Sequence, residues 1–333
     1  VINGNIRSDG ANKFGSNPKY RWLPTWSVAG KWITSSESFL QNVDWLSSLT
    51  FRGSYGIQGN IHEDATPNLI VSFQERNDVS GLDNYKIERL PNPDLRWEKT
   101  KSWNVAVDFS LLNNRIKGGF DVFRKNTSDL IMSKSVATSN GRAILYMNAG
   151  KMRNAGFEGF INLDLITSKE FEWRLGVNFS RNVNEITLAN GDSYDSEEEI
   201  DMMLAGELAV EGAAVGSMYS YCFAGLAPDN GNALFYSKDG RKVLCGEAAM
   251  MKLKNCGSIF PKLSGGFDTQ LVYKKCLTLS LAFTYNWGNV QRLPEVYADK
   301  NNAFDPLANV STQLNKRWRN PGDEKHTSIP TLY

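Results

Sequence analysis

The chain has 333 residues, a formal net charge of +1 and 41% hydrophobic residues. The near-neutral charge gives no electrostatic argument for a nucleic-acid partner, and no run approaches the eighteen apolar residues of a membrane-spanning helix. The length allows several ordinary domains or one large β architecture. A mean hydropathy of −0.38 is compatible with a membrane β-barrel, because only every second residue of a barrel strand faces lipid.

Alternation of apolar and polar residues predicts β-strands along the whole chain. It is strictest from Trp103 to Leu111, and it resumes at Ile116 after an Asn-Asn pair that suits a tight turn with positive φ angles. These strands are about nine to twelve residues long, whereas strands of soluble proteins usually have five or six residues. A tilted strand of this length crosses a bilayer. In chain order the predicted strands cover residues 24–33, 49–58, 103–111, 116–125, 157–165, 171–180, 263–273 and 277–287.

The predicted connections alternate between short and long. Short links fall at 113–114, 167–170 and 274–275, and a somewhat longer one at 34–45 has room for a helical turn over 36–42. Short turns at one end and long loops at the other are typical of an outer-membrane barrel. The long polar excursions that we predict as loops are 59–98, 127–150 and 184–261.

The last excursion is constrained by strand direction. The strands at 171–180 and 263–273 must run in opposite directions, so an even number of crossings, most simply none, separates them. Residues 219–223 and 233–236 are therefore predicted to form a hairpin inside a large outer loop. The acidic stretch 192–201 does not have the spacing of a calcium-binding loop and is predicted to be a solvated loop.

The alternation assigns candidate site residues to the two faces of the strands. Polar candidates would line a water-filled lumen or simply be ordinary interior polar residues. They are Lys31, Arg52, Asp108, Asp121, Glu158, Asp164 and Arg174, with Phe160 interrupting this polar face. Lipid-facing or interfacial girdle candidates are Trp26, Trp103, Val105, Val107, Phe109, Trp173, Leu175, Val177, Phe179, Leu279, Leu281, Phe283 and Trp287.

Enzymatic and metal sites are disfavoured. Asp192 and Glu197 could be imagined as an acid and base for glycoside hydrolysis, but they lie in a predicted loop without rigid support. The only histidines, His62 and His326, have no nucleophile motif beside them. The segment GIQGN at 56–60 is too short to be a phosphate-binding glycine fingerprint. We therefore predict no enzyme activity and no cofactor.

The four cysteines show no metal-ligand spacing. Cys222, Cys245, Cys256 and Cys276 contain no CxxC pair and have no histidine nearby, so we predict no metal site. Cys245 and Cys256 could form a disulfide in an oxidising compartment, or all four could be free thiols packed as small apolar residues. The spacing does not decide between these states.

Several segments resemble SusC/RagA-type TonB-dependent outer-membrane transporters of Bacteroidetes. The combination of NPDLRWEKT with NAG and NxGFE carries most of the specificity, and the matches run in family order along almost the whole chain. The matching segments are FGSNPKYRWLPTWSVAGKW, LTFRGSYGIQGN, NPDLRWEKTKSWNVAVDFSLLNNRI, DVFRKNTSDLI, NAGKMRNAGFEGFINLDLI, GSMYSYCFAGLAPDNGNALFYSKDG and RWRNPGDEKHTSIP.

The resemblance implies an all-β fold, part of a large antiparallel transmembrane barrel of the 22-stranded type with long extracellular loops and short periplasmic turns. Eight complete crossings and a stub at 1–7 are predicted, as one partial barrel domain over 1–333 without the plug, the TonB-contacting segment or the closing strands. The first ten residues lack the features of a signal peptide. An open piece of barrel leaves two unpaired edges, so we expect this chain alone not to transport.

The resemblance also implies a location and partners. The location is the bacterial outer membrane, and the activity is energised import of glycans, oligosaccharides or peptides. The partners are a SusD-like surface lipoprotein, TonB acting through the missing N-terminal region, the substrate and outer-membrane lipid. The alternative is a soluble carbohydrate-binding β-sandwich or solenoid, but its strands would have about five residues, with turns every eight to twelve.

Overall fold

The computed structural model describes residues 1–14, 18–61, 66–76, 80–142, 144–189, 197–244, 250–293, 296 and 311–331. The chain divides into two compact units. The first comprises Val1–Asp192, Ala209–Val215 and Pro261–Gly288, and the second comprises Ser193–Leu208, Gly216–Phe260 and Asn289–Tyr333. The single domain over 1–333 stays a prediction.

Sixteen strands occur among the described residues. The first nine are β1 (Ile2–Gly10), β2 (Trp22–Ile33), β3 (Leu46–Asn60), β4 (Ile70–Arg76), β5 (Asp83–Arg89), β6 (Glu98–Leu111), β7 (Ile116–Ser135), β8 (Ile144–Thr167) and β9 (Phe171–Leu188). The remaining seven are β10 (Ser217–Tyr221), β11 (Phe223–Leu226), β12 (Ala233–Tyr236), β13 (Lys242–Leu244), β14 (Leu253–Ser258), β15 (Leu263–Tyr273) and β16 (Leu277–Trp287).

The first unit is built around a nine-stranded sheet with the order β1-β2-β3-β6-β7-β8-β9-β15-β16. Every neighbouring pair is antiparallel. The predicted strands are confirmed, but the stub predicted at 1–7 is instead a complete strand, β1, paired along its whole length with β2. Direct pairing of β9 with β15 confirms that no crossing separates them.

The short connections lie where the alternation places them. Asn113 and Asn114 have φ angles of 55° and 66°, which confirms the positive-φ turn, and Leu112 shares this conformation at 52°. Lys274 and Lys275 turn in the same way between β15 and β16. The helical turn expected at 36–42 is a 3-10 helix at Thr34–Ser36 instead.

The excursion at 127–150 is not a loop, and that prediction was wrong. β7 continues to Ser135 and β8 begins at Ile144, so most of this segment extends the sheet. The strict alternation is lost there because Asp129 has a φ of 58° and the register shifts on both sides of Leu130. A bulge adds an unpaired residue, which reverses the faces of the residues that follow.

The second unit contains two small sheets, β10-β14 and β11-β12-β13. The predicted hairpin exists with a different first strand, because β12 pairs with β11 and not with residues 219–221. The chain changes sheets at Cys222, whose N–H donates to Lys252 O and whose carbonyl accepts from Tyr236 N.

Helices are few. α1 (Pro18–Arg21) precedes β2, and α2 (Glu197–Ala205) occupies part of the predicted acidic loop. Ile200 and Met203 are buried, and these apolar contacts explain why 197–201 is helical and not a solvated loop. Within the described residues, no helix is long and apolar enough to cross a membrane.

Candidate functional site

The two faces of the nine-stranded sheet have opposite chemistry. Residues directly opposite each other in antiparallel strands share a face, and successive residues alternate. Lys31 pairs with Arg52, and Asp121 pairs with Glu158. Together with the pairings of the intervening strands, these registers place every polar candidate on one face, which we call the polar face.

An ion-pair network lies on the polar face around Arg52. Its Nε and Nη2 donate to the two carboxylate oxygens of Asp108 at 2.6 and 3.0 Å, and Nη2 also lies 3.5 Å from Asp121 Oδ2. Asn104 Nδ2 donates to the other Asp121 oxygen at 3.2 Å. The two-point contact with Asp108 fixes the guanidinium plane. These side chains are partly exposed, so the network stabilises the fold only slightly.

A second cluster lies nearer the short turns. Arg174 contacts Asp164 at 3.5 Å and Glu172 at 3.2 Å. It borders an open concavity of about 470 Å³ whose other lining residues include Lys117 and Asp268. The polar face therefore combines ion pairs with open, hydrogen-bonding depressions.

The opposite side, which we call the apolar face, carries every lipid-facing candidate. The same registers join Val105 to Val122 and Phe267 to Phe283, whose rings stack at 4.6 Å. Phe109 lies over Gly118, where an added Cβ would come within 2.4 Å of the ring. Much of this face is bare: Leu279 is 50% exposed, Phe283 50% and Trp287 73%. An exposed apolar surface of this extent marks contact with lipid or another protein.

A clamp that the alternation does not predict holds the far ends of β6, β7 and β8. The Asn148 side chain accepts a hydrogen bond from Arg96 N at 2.9 Å and donates to Arg96 O and Asp129 O at 2.8 and 2.7 Å. Arg96 Nη2 donates to the Asp129 carboxylate at 2.7 Å. The bulge at Asp129 is therefore satisfied by side chains from two other segments.

A small core lies beside this clamp. Leu95 and Trp97 are buried with Ile131, Phe14 and Leu23. The buried Glu98 carboxylate accepts hydrogen bonds from Ile131 N at 2.9 Å and Asn60 Nδ2 at 2.8 Å. NPDLRWEKT supplies Leu95 to Glu98, and NAG supplies Asn148. These two motifs were the signal in the sequence that could have pointed to the clamp, and in the structure their residues hold the far ends of the strands together.

The remaining candidates from the sequence are the acidic pair, the histidines and the cysteines. Asp192, His62 and Cys245 lie outside the described residues, and Glu197 is the first residue of α2. Cys256 is exposed. No group of three metal-ligating side chains occurs in the part of the chain that the structure describes.

Comparison with known proteins assigns this chain to a family. The family model described as "TonB dependent receptor-like, beta-barrel" matches residues 2–241. The chain belongs to this family. The strands that carry the polar and apolar faces up to β9 lie inside the match, and the family is one of receptors and not of enzymes.

Individual relatives agree with this assignment. TonB-dependent receptor P39 of Formosa agariphila is 26% identical over 383 residues, covering 100% of this chain and 35% of that protein. TonB-dependent receptor SusC of Bacteroides thetaiotaomicron is 36% identical over 198 residues, covering 57% of this chain and 20% of that protein. The resemblance to SusC/RagA-type receptors is confirmed.

A solved structure supports the fold independently. The structure titled "Structure of the RagAB peptide transporter" matches with a TM-score of 0.76 at 24% identity, covering 99% of this chain and 36% of that chain. Together with the nine-stranded sheet, this match excludes the sandwich or solenoid fold. The chain spans about a third of the length of the solved chain and of most curated relatives it matches.

Proposed function

We propose that this chain forms part of the wall of an outer-membrane receptor that imports glycans or peptides with energy delivered through TonB. The observation that carries this proposal is the pairing of a bare apolar face with a polar face on one sheet of a TonB-dependent receptor family. Such a sheet suits a wall with lipid on one side and water on the other. A soluble protein rarely exposes so large an apolar surface.

The polar candidates would then line the lumen or contact a plug, and the apolar candidates would meet lipid. The excursions 59–98 and 184–261 would face the cell exterior, where a SusD-like lipoprotein and the substrate would be encountered. The TonB contact would be made by a segment other than these 333 residues. RagAB is a peptide transporter, whereas the motifs of this chain resemble glycan and peptide importers alike.

The proposal is tested by folding in detergent. The chain, and a version extended to the length of its relatives, would be targeted to the outer membrane and extracted. We expect the extended version to require detergent and to migrate faster on gels before heating than after, as folded barrels do. A chain that is a soluble, cooperatively folded monomer without detergent would contradict the proposal.

A further inference from the structure

Two aromatic side chains, Phe123 and Phe160, lie on the polar face. Phe160 lies on β8, is 41% exposed, and is opposite Gly119 of β7 and Asn178 of β9. An added Cβ at Gly119 would lie 2.6 Å from the ring, so the absence of a side chain there lets the phenyl ring lie over the neighbouring strand. On a water-facing wall, an exposed ring can bury the apolar face of a ligand.

The ring lines a concavity of about 320 Å³, which is at the lower end of the range for small-ligand sites. Apart from Phe179, the other side chains that line it carry hydrogen-bonding groups. They are Asp121, Glu158, Asn178, Ser180 and Ser264.

These groups retain hydrogen-bonding capacity. Ser180 Oγ donates to Glu158 Oε1 at 3.2 Å, which leaves lone pairs on that carboxylate. Within the described ranges, the Asn178 amide makes no side-chain hydrogen bond. Because adjacent strands lie about 5 Å apart, Asn178 stands beside the ring, and Glu158, two residues along β8, lies about 7 Å from Phe160.

We propose that this concavity, the Phe160 site, binds a hydroxyl-bearing six-membered ring of the pyranose type. The C–H face of the sugar lies on the phenyl ring, whose electron-rich face attracts polarised C–H groups. The sugar hydroxyls donate to Glu158 and Asp121, and the Asn178 amide both donates and accepts. This inference rests on the proposed function, since it requires the polar face to meet water.

The surroundings favour a sugar over a basic side chain. The carboxylates that line the site already have donors. Glu158 accepts from Ser180 Oγ. Asp121 accepts from Asn104 Nδ2 and lies 3.5 Å from Arg52 Nη2. The contrasting aromatic of the same face is Phe123, which lies over Gly156. Lys125 Nζ lies 5.6 Å from the Phe123 ring centroid, so that ring already has a cation, whereas Phe160 has no such contact among the described residues.

Saturation-transfer NMR on the extended version, folded in detergent, tests the site with three probes at one concentration. The probes are methyl α-D-glucopyranoside, N-acetylarginine amide and trialanine. We expect saturation of the sugar ring protons, reduced at least about threefold by Phe160→Leu and by Asn178→Ala. Phe123→Leu is the matched control, because it removes a ring from the same face, and it should leave the sugar signal unchanged.

Several outcomes would overturn the inference. They are a stronger signal from the arginine or peptide probe, no signal from any probe, or a sugar signal that survives Phe160→Leu and Asn178→Ala. Heat-modifiable migration of the same samples shows whether each variant is folded. Folded chain without a sugar signal rejects the Phe160 site and leaves the proposed receptor function standing.

Discussion

The near and far ends of β6, β7 and β8 are stabilised differently. Near the short turns, the strands alternate strictly and apolar side chains are bare, as at Phe120 and Ile161, each 40% exposed. At the far end, Leu95 is fully buried and Trp97 is 8% exposed. Under the proposed function, the near end therefore depends on an apolar medium outside the protein, whereas the far end has a core of its own.

The far end is also where the backbone is irregular. The bulge at Asp129 needs the Asn148 amide and the Arg96 side chain to satisfy its polar groups. The near end needs no such help, because ladder hydrogen bonds satisfy its backbone. One sheet thus contains a segment specified by its surroundings and a segment specified by its own side chains.

The largest expected effect is a difference in stability between alanine variants of two tryptophans. Trp97→Ala should destabilise the chain in detergent by about 3–5 kcal/mol, because it opens a cavity in the far-end core. Trp287→Ala, at a side chain that is 73% exposed, should cost far less. Urea unfolding of both variants in the same detergent measures the difference. Equal losses would mean that the far-end core does not stabilise the sheet.

The clamp should show a smaller loss. Asn148→Ala removes the partners of the Arg96 N–H and carbonyl and of the Asp129 carbonyl, which should cost about 1–3 kcal/mol. Asn162→Ala, an exposed position on the same strand, is the control. Amide exchange should rise around Asp129 in the first variant only. Exchange that rises equally in both would contradict the local role of the clamp.

The Arg52 network should contribute less still. A double-mutant cycle of Arg52→Ala and Asp108→Ala should give a coupling energy of about 0.2–1 kcal/mol, because both side chains are well hydrated. The coupling should shrink in high salt. A coupling of several kcal/mol, insensitive to salt, would show that this part of the polar face is dry.

The smallest effect concerns the β4–β5 hairpin. The Ser72 hydroxyl hydrogen bond, assisted by Lys86 and Arg142, lowers the pKa of Glu88 below its ordinary value of 4.5. A lowered folded-state pKa stabilises the hairpin above the unfolded pKa, and this stabilisation is lost as the pH falls through the folded value. NMR titration should therefore place the Glu88 midpoint below 4.5 and raise it in Ser72→Ala. An unchanged midpoint would remove Ser72 as the cause.

The sequence predicts the near end of these strands better than the far end. Alternation located the near-end strands, their faces and the turns at Asn113 and Lys274, because each register there is unbroken. It failed over 127–150, where the bulge at Asp129 shifts the faces, and at 197–201, where burial of Ile200 stabilises a helix. The clamp depends on contacts between residues about fifty positions apart, such as Arg96 and Asn148, which periodicity cannot report.

The central claim is that one face of the sheet meets lipid and the other meets water. Spin labels placed singly at 174–179 on β9, in the extended version reconstituted into lipid vesicles, test it directly. Oxygen accessibility should peak at 175, 177 and 179, and accessibility to a water-soluble nickel chelate should peak at 174, 176 and 178, since successive residues face opposite sides. Equal accessibility at all six positions, or the reverse alternation, would contradict the account.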